Sequence, residues 1–129
     1  MKSQTNITEE REQIYTSKTI AERISKLMLE RKAKDIKIID VRKLTSLTDF
    51  FIICTSESEP QSKAISNHVD DTLRLEGIKP WHIEGYQHLD WILLDYVNLV
   101  ANIFSRKARE YYDFERLWGD AKISSIKDK

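Results

Sequence analysis

The stretch FFIICTSESEPQSKAISNHVDDTLRLEG, residues 50–77, contains a strand and a helix with clear boundaries. Its first six residues are apolar or β-branched, which predicts a buried strand over 50–55. Ser58, Pro60 and Gln61 are typical of a helix start, because serine caps the first turn, proline fits within it and glutamine completes a capping box. Apolar residues then recur at helical spacing until Gly77, a residue type that suits a helix C-terminus. The sequence therefore predicts a helix that ends near residue 76.

The segments on either side of this unit complete an α/β pattern. The other predicted elements are helices at 18–34 (capped by Thr19 with Glu22) and 105–112, and strands at 36–41, 79–84, 91–96 and 99–104. Asn98 is expected to take the left-handed conformation in the tight turn between the last two strands. This order predicts a single mixed β-sheet of about five strands with helices packed on it. We expect one domain over 17–120, with flexible tails at 1–16 and 121–129.

Composition excludes several classes of protein. The chain has 129 residues, enough for one domain with a real core, and its 21 basic and 21 acidic residues cancel. A neutral chain is not a general nucleic-acid coat, which needs a strongly basic surface. The single cysteine excludes an internal disulfide and any zinc site built on cysteine pairs. The first residues lack the apolar core of a secretory signal, and no apolar run is long enough to span a membrane, so we expect a soluble cytoplasmic protein.

No motif of an enzyme stands out. His82-Ile83-Glu84 matches half of the zinc deaminase signature, but the required P-C-x-x-C half is absent. The three histidines lack the spacing of a helical metal pair, and no glycine-rich phosphate loop is present. Cys54 lies in an apolar strand, which favours a buried and inert thiol over a reactive one. The sequence therefore predicts neither catalysis nor a metal or cofactor.

Charge is uneven along the chain. Residues 17–37 carry seven basic and three acidic side chains, whereas residues 49–95 carry nine acidic and three basic ones. One interpretation is that both are ordinary solvated faces. The other is that the acidic region fits a basic partner protein, and that the basic face of the first helix contacts RNA, which a steep salt dependence of binding would support.

The predicted strand 91–96 combines aromatic, aliphatic and acidic residues. Alternation places Trp91, Leu93 and Asp95 on one face of the sheet and Ile92, Leu94 and Tyr96 on the other. A carboxylate rarely shares a dry core face without a partner. Either Trp91 is a core aromatic and Asp95 caps the following turn, or the first face is an exposed patch with the composition of a binding hot spot.

Four segments resemble the ribosomal silencing factor family, also called the iojap-related family. They are SLTDFFIICT (46–55), QSKAISNHV (61–69), EG at 84–85 followed by WILLDY (91–96), and IFSRKAREYYDFERLW (103–118). The resemblance implies a nucleotidyltransferase-like fold without enzymatic activity. It also implies binding to the large ribosomal subunit through its protein number fourteen, which blocks joining of the small subunit and represses translation when nutrients are short. The free protein would be a homodimer and the bound form a monomer.

From the patch and the resemblance together we predict a set of partner-binding residues: Glu84, Asp90, Trp91, Leu93, Asp95 and Tyr96. The resemblance also assigns a mainly structural role to the C-terminal signature: Arg109, Glu110, Tyr111, Asp113, Glu115, Leu117 and Trp118. The chain departs from the family pattern at Ser56, Leu89, Val97, Asn98 and Asn102. The alternatives are an assembly factor for the large subunit and an active nucleotidyltransferase-like enzyme.

Overall fold

The computed structural model of the protein describes residues 16–127. Its helices are α1 (Ser17–Glu30), α2 (Glu59–Leu75), α3 (Arg106–Tyr112) and α4 (Phe114–Leu117). Its strands are β1 (Lys34–Asp40), β2 (Phe50–Ser56), β3 (His82–Glu84), β4 (Trp91–Asp95), β5 (Leu99–Ser105) and β6 (Lys122–Ile126). The predicted α/β fold with one mixed sheet is confirmed, because the strands form a single sheet in the order β3-β4-β5-β2-β1-β6, with β2 and β5 parallel.

The two faces of the sheet are covered differently. Helices α1 and α2 pack on one face and bury the larger apolar cluster, in which Ile52 and Ile103 are fully buried. On the opposite face a smaller cluster around Phe104 and Phe114 lies under α3 and α4. These two short helices cover only part of the sheet. The rest of this face, over β3, β4 and β5, is therefore left partly exposed.

The prediction of a flexible C-terminal tail over 121–129 is wrong for the residues that form β6. Strand β6 pairs antiparallel with β1, with Ile123 opposite Ile39 and Ile126 opposite Ile36. It adds the sixth strand to the five that were expected. Its sequence, KISSI, has only two apolar residues, so the strand depends on a distant partner rather than on local pattern. The predicted N-terminal tail lies outside the described residues except for Thr16.

The predicted boundaries of α2 are confirmed, and those of α1 are shifted. Helix α1 begins after Thr16, whose side chain accepts a hydrogen bond from the Thr19 backbone N–H, and not at Thr19 as expected. It ends at Glu30 and not near residue 34, because Lys32 has a positive φ of 62°. No glycine marks this end of the helix, so its position was not predictable from the residues around it.

The turn between β4 and β5 differs from the expectation. Val97, with φ 73°, takes the left-handed conformation that was predicted for Asn98. The Asp95 carboxylate accepts a hydrogen bond from the Val97 backbone N–H at 2.7 Å, which holds the turn. A β-branched residue in this conformation is strained.

Within residues 16–127 no helix is both long and apolar enough to cross a membrane. Cys54 is fully buried, and burial raises the pKa of its thiol to about 12, which confirms the prediction of an inert cysteine.

Candidate functional site

A broad depression of about 520 Å³ lies on the part of the sheet that α3 and α4 leave uncovered. We call this surface the open face. Its lining residues are Leu47, Thr48, Phe51, Trp81, Asp95, Val97 and Val100. Three of them present large apolar side chains to solvent: Leu47 is 86% exposed, Trp81 75% and Val97 54%. Exposed apolar surface concentrated in this way is typical of a site that binds another macromolecule.

Trp91 lies at the edge of the open face and is half-buried. Its ring packs against Phe104 and Tyr112, with centroid distances of 5.1 and 4.8 Å. Its Nε1–H donates a hydrogen bond to the Asn102 side-chain oxygen at 2.9 Å. Asn102 is itself buried and donates to the backbone oxygen of Val100, so it fixes the indole in place. Trp91 is thus largely an anchored part of the smaller core.

Four of the predicted site residues share the open side of β3 and β4. The predicted alternation is confirmed, because Trp91, Leu93 and Asp95 are half-buried whereas Ile92 and Leu94 are buried beneath the helices. Glu84 of β3 lies opposite Leu93, and its carboxylate contacts the His82 ring nitrogen at 2.7 Å. The carboxylates of Glu84 and Asp95 therefore lie on the same side of the sheet as the Leu93 side chain.

Two of the predicted residues do not join this group. Tyr96 packs against the larger core on the opposite face, where burial, with a contribution from the Asp70 carboxylate, raises the pKa of its hydroxyl. Asp90 precedes β4 at the far end of the strand from Asp95, and its carboxylate accepts a hydrogen bond from the Ser105 hydroxyl at 3.1 Å. Ser105 caps α3. Asp90 thus has a structural partner beside the start of that helix.

Sequence reasoning missed Trp81, the most exposed tryptophan of the protein. Trp81 directly precedes β3, and strand alternation would have placed it with Ile83 on the helix-covered face. The chain bends at this residue, its backbone N–H donates to the Asp95 carbonyl at 2.7 Å, and its side chain lines the open face instead. The sequence signal was only a large aromatic beside a very short edge strand.

Gly85 determines where β4 begins. It has a φ of 84°, and a Cβ at this position would lie 1.8 Å from the carbonyl oxygen of Trp91. No side chain fits at such a distance, so the Glu-Gly pair seven residues before the tryptophan reflects a close approach of two backbone segments. This contact positions the strand that carries Trp91, Leu93 and Asp95.

Arg109 and Glu115 of the C-terminal signature form a polar cluster with Lys37 and Thr55. The Arg109 guanidinium donates to the Glu115 carboxylate at 3.0 Å and to the Thr55 hydroxyl at 2.9 Å, and Lys37 contacts the same carboxylate at 2.9 Å. Partial burial works to raise the pKa of Glu115, but the hydrogen bonds from Arg109 and Lys37 prevail and lower it to about 2. These contacts join α3 and α4 to the sheet and support the predicted structural role for Arg109 and Glu115, whereas Tyr111 and Leu117 of the same signature are 80% and 71% exposed.

The acidic region does not form one continuous acidic surface. Glu57, Asp70 and Glu76 each form an ion pair with an arginine, namely Arg106, Arg74 and Arg23. A crevice lies where the parallel strands β2 and β5 end, the usual ligand position in open α/β sheets. Its lining contains the carboxylates of Glu57, Glu59 and Asp90, which would repel a phosphate. Within the described part of the chain no group of three potential metal ligands occurs.

The fold and the open face define a small α/β protein with an apolar and acidic sheet surface suited to binding a macromolecule. The sequence model of a family described as "Ribosomal silencing factor during starvation" matches residues 14–129. The chain therefore belongs to the ribosomal silencing factor family. That description concerns the ribosome and a regulatory role rather than a reaction.

Individual relatives agree with this assignment. A ribosomal silencing factor of Chromobacterium violaceum is 39% identical over 105 residues, which cover 78% of this chain and 86% of the relative. The corresponding factor of Bacillus subtilis is 32% identical over 97 residues, covering 75% and 82%. A crystal structure of protein CV0518 from Chromobacterium violaceum superimposes with a TM-score of 0.77 at 33% identity, covering 86% of this chain and 92% of that one.

Proposed function

We propose that this protein binds the large ribosomal subunit through the subunit's protein number fourteen and sterically blocks joining of the small subunit, which represses translation under nutrient limitation. The observation that carries the proposal is the open face, where Leu47, Trp81 and Val97 are exposed beside Asp95. Such a surface offers an aromatic anchor for a hot spot and a carboxylate for a basic partner. Family membership supplies the ribosome as the place of action.

The proposed mechanism needs affinity and position but no bond chemistry. A docked body of 15.2 kDa on the face of the large subunit that meets the small one would prevent their approach. Glu84, Leu93 and Asp95 would contact the partner directly. Trp91, held by Asn102 and Tyr112, would set the shape of the strand beneath them.

The test is direct binding of the chain to isolated protein fourteen, measured by titration calorimetry. Trp81→Ala should weaken binding by about 2 kcal/mol, roughly thirtyfold, because a desolvated tryptophan anchor is lost. Leu75→Ala is the matched control, since Leu75 is 90% exposed but lies on α2, on the other side of the sheet. Equal affinity of the Trp81 variant and the parent would contradict the placement of the site.

The two alternative functions, an assembly factor and a nucleotidyltransferase-like enzyme, can be distinguished by the ribosomal particle or the ligand that the chain binds. An assembly factor would bind precursors of the large subunit better than mature subunits. A nucleotidyltransferase-like enzyme would instead show Mg²⁺-dependent binding of nucleotide. We also propose that the free chain is a homodimer, so sedimentation velocity should give twice 15.2 kDa in the absence of subunits.

A further inference from the structure

A groove runs between helix α1 and the edge strand β6, on the side of the sheet away from the open face. Two depressions of about 400 and 270 Å³ form it, and both include Ile126 in their walls. Leu29 and Ile36 line the first depression and Ile38 the second. The groove is therefore a continuous concave surface with an apolar floor, and it exists because β6 extends the sheet beyond the cover of α1.

The walls of this groove are strongly basic although the chain as a whole is neutral. Seven basic and three acidic residues line the two depressions, although the Lys37 side chain extends to the opposite face of the sheet, where it pairs with Glu115. The basic residues are Lys18, Lys32, Lys34, Lys37, Arg42, Lys122 and Lys127, and the acidic ones are Glu22, Asp35 and Asp40. Positive charge concentrated in a cleft attracts polyanions more strongly than the same charge on a flat surface.

Part of this charge is already neutralised within the protein. Lys37 forms an ion pair with Glu115, and Arg42 pairs with Asp40 at 2.7 Å. Lys32, Lys34 and Lys127 are exposed and form no ion pair with any other residue in the range 16–127. These three lysines line the same depression, so they are available together to an external anion.

We propose that this groove binds the phosphate backbone of RNA without reading its sequence. Phosphates contacted by lysines give affinity, whereas base recognition by single-strand binders uses exposed aromatic rings. Phe50 is the aromatic residue of the lining, and it is buried, with the Arg42 guanidinium 4.8 Å from its ring centre. The identification of the ligand as ribosomal RNA beside the docked protein rests on the proposed function. The contact with RNA itself does not.

The experiment is a salt titration of binding to a labelled single-stranded RNA of mixed sequence, followed by fluorescence anisotropy. Each phosphate contact to a single strand contributes about 0.7 to the slope of log affinity against log salt. The double variant K34E/K127E should therefore lower the magnitude of the slope by about 1.4. K34R/K127R should keep the slope of the parent, because it keeps the charges. The matched control K43E/K63E changes two exposed lysines outside the groove and should behave as the parent.

Three outcomes would overturn the inference: no binding of RNA by the parent, an equal loss in K34E/K127E and K43E/K63E, or binding of a polyglutamate peptide in place of RNA. Circular dichroism of each variant controls for folding. Titration of the same variants with isolated protein fourteen separates the two proposals. K34E/K127E should bind that protein as the parent does, since the open face is untouched, whereas Trp81→Ala should bind that protein about thirtyfold more weakly and bind RNA as the parent does.

Discussion

Replacement of Val97 by glycine should relieve backbone strain that replacement by alanine retains, and both changes should weaken partner binding. Val97 has a φ of 73° in the turn between β4 and β5. This conformation costs about 1–2 kcal/mol for a residue with a Cβ, whereas glycine avoids it but loses about 0.5–1 kcal/mol in chain entropy on folding. The Asp95 hydrogen bond to the backbone N–H survives the change. Both Val97→Gly and Val97→Ala lose the half of the side chain that the fold already buries, so the glycine variant should unfold with a free energy about 0.5–1 kcal/mol higher than that of the alanine variant.

The same side chain is 54% exposed and lines the open face. Complete burial of a valine contributes about 1.5–3 kcal/mol, and about half of that is still available to a docking partner. Loss of the side chain should thus weaken binding by about 1 kcal/mol, roughly fivefold. Val97→Ala is the matched control, because it removes the terminal methyl groups but keeps a Cβ at positive φ. It should weaken binding to a similar extent and should be less stable than Val97→Gly.

Urea unfolding followed by circular dichroism measures the first effect, and calorimetric titration with protein fourteen measures the second. A Val97→Gly protein that is less stable than Val97→Ala would refute the assignment of strain to this turn. A glycine variant with the parent's affinity would remove Val97 from the docking surface. Because the two variants should differ in stability but have similar affinity, a general loss of folding cannot account for both results.

Three further predictions concern the supports of the site. Gly85→Ala should cost more than about 3 kcal/mol in urea unfolding, because the new Cβ meets the Trp91 carbonyl, whereas Gly77→Ala, at nearly the same φ in open space, should cost only about 1–2 kcal/mol. Glu115→Gln should be less stable than the parent at neutral pH by at most about 2 kcal/mol. The pKa of Glu115 in the folded protein is lowered to about 2, so the stability difference between the parent and Glu115→Gln should shrink as the pH falls below about 4.5. A stability difference that grows in acid would contradict a stabilising role of the Glu115 carboxylate. Asn102→Ala should cost about 1–3 kcal/mol by leaving the Trp91 N–H without its acceptor, and a double-mutant cycle with Trp91→Phe should show the two residues coupled.

Elements with local signals were predictable from the sequence. Helix α2 has a serine cap, a proline in its first turn and a terminating glycine, and the structure confirms all three: the Ser58 hydroxyl accepts from the Gln61 N–H, and Gly77 has a φ of 83°. The two faces of β4 were also predictable, because alternation alone separates Leu93 from Leu94.

Features that depend on distant partners were not predictable. Strand β6 exists because β1 offers it an unpaired edge, and its own sequence has weak strand character. The left-handed residue of the β4–β5 turn was assigned to Asn98 on intrinsic preference, but the register of the two strands places Val97 there.

The predicted site residues lie in part on the open face. The orientation of β4 was predictable, but the relative exposure of Trp91 and Trp81 was not, because exposure depends on where α3 and α4 pack. These helices cover Trp91 with Tyr112 and leave Trp81 open. Tyr96 was included because it follows Asp95 in the resembling segment, although strand alternation assigns it to the core side, as the structure shows.

The proposed block of subunit joining is tested by sucrose-gradient sedimentation of purified large subunits with this protein, followed by addition of small subunits. We expect the protein to sediment with the large subunit and the joined-ribosome peak to fall. We further expect that Trp81→Ala restores the joined peak while Leu75→Ala does not. If the parent protein leaves the joined peak unchanged at saturating concentration, control of subunit joining is the wrong function for this chain.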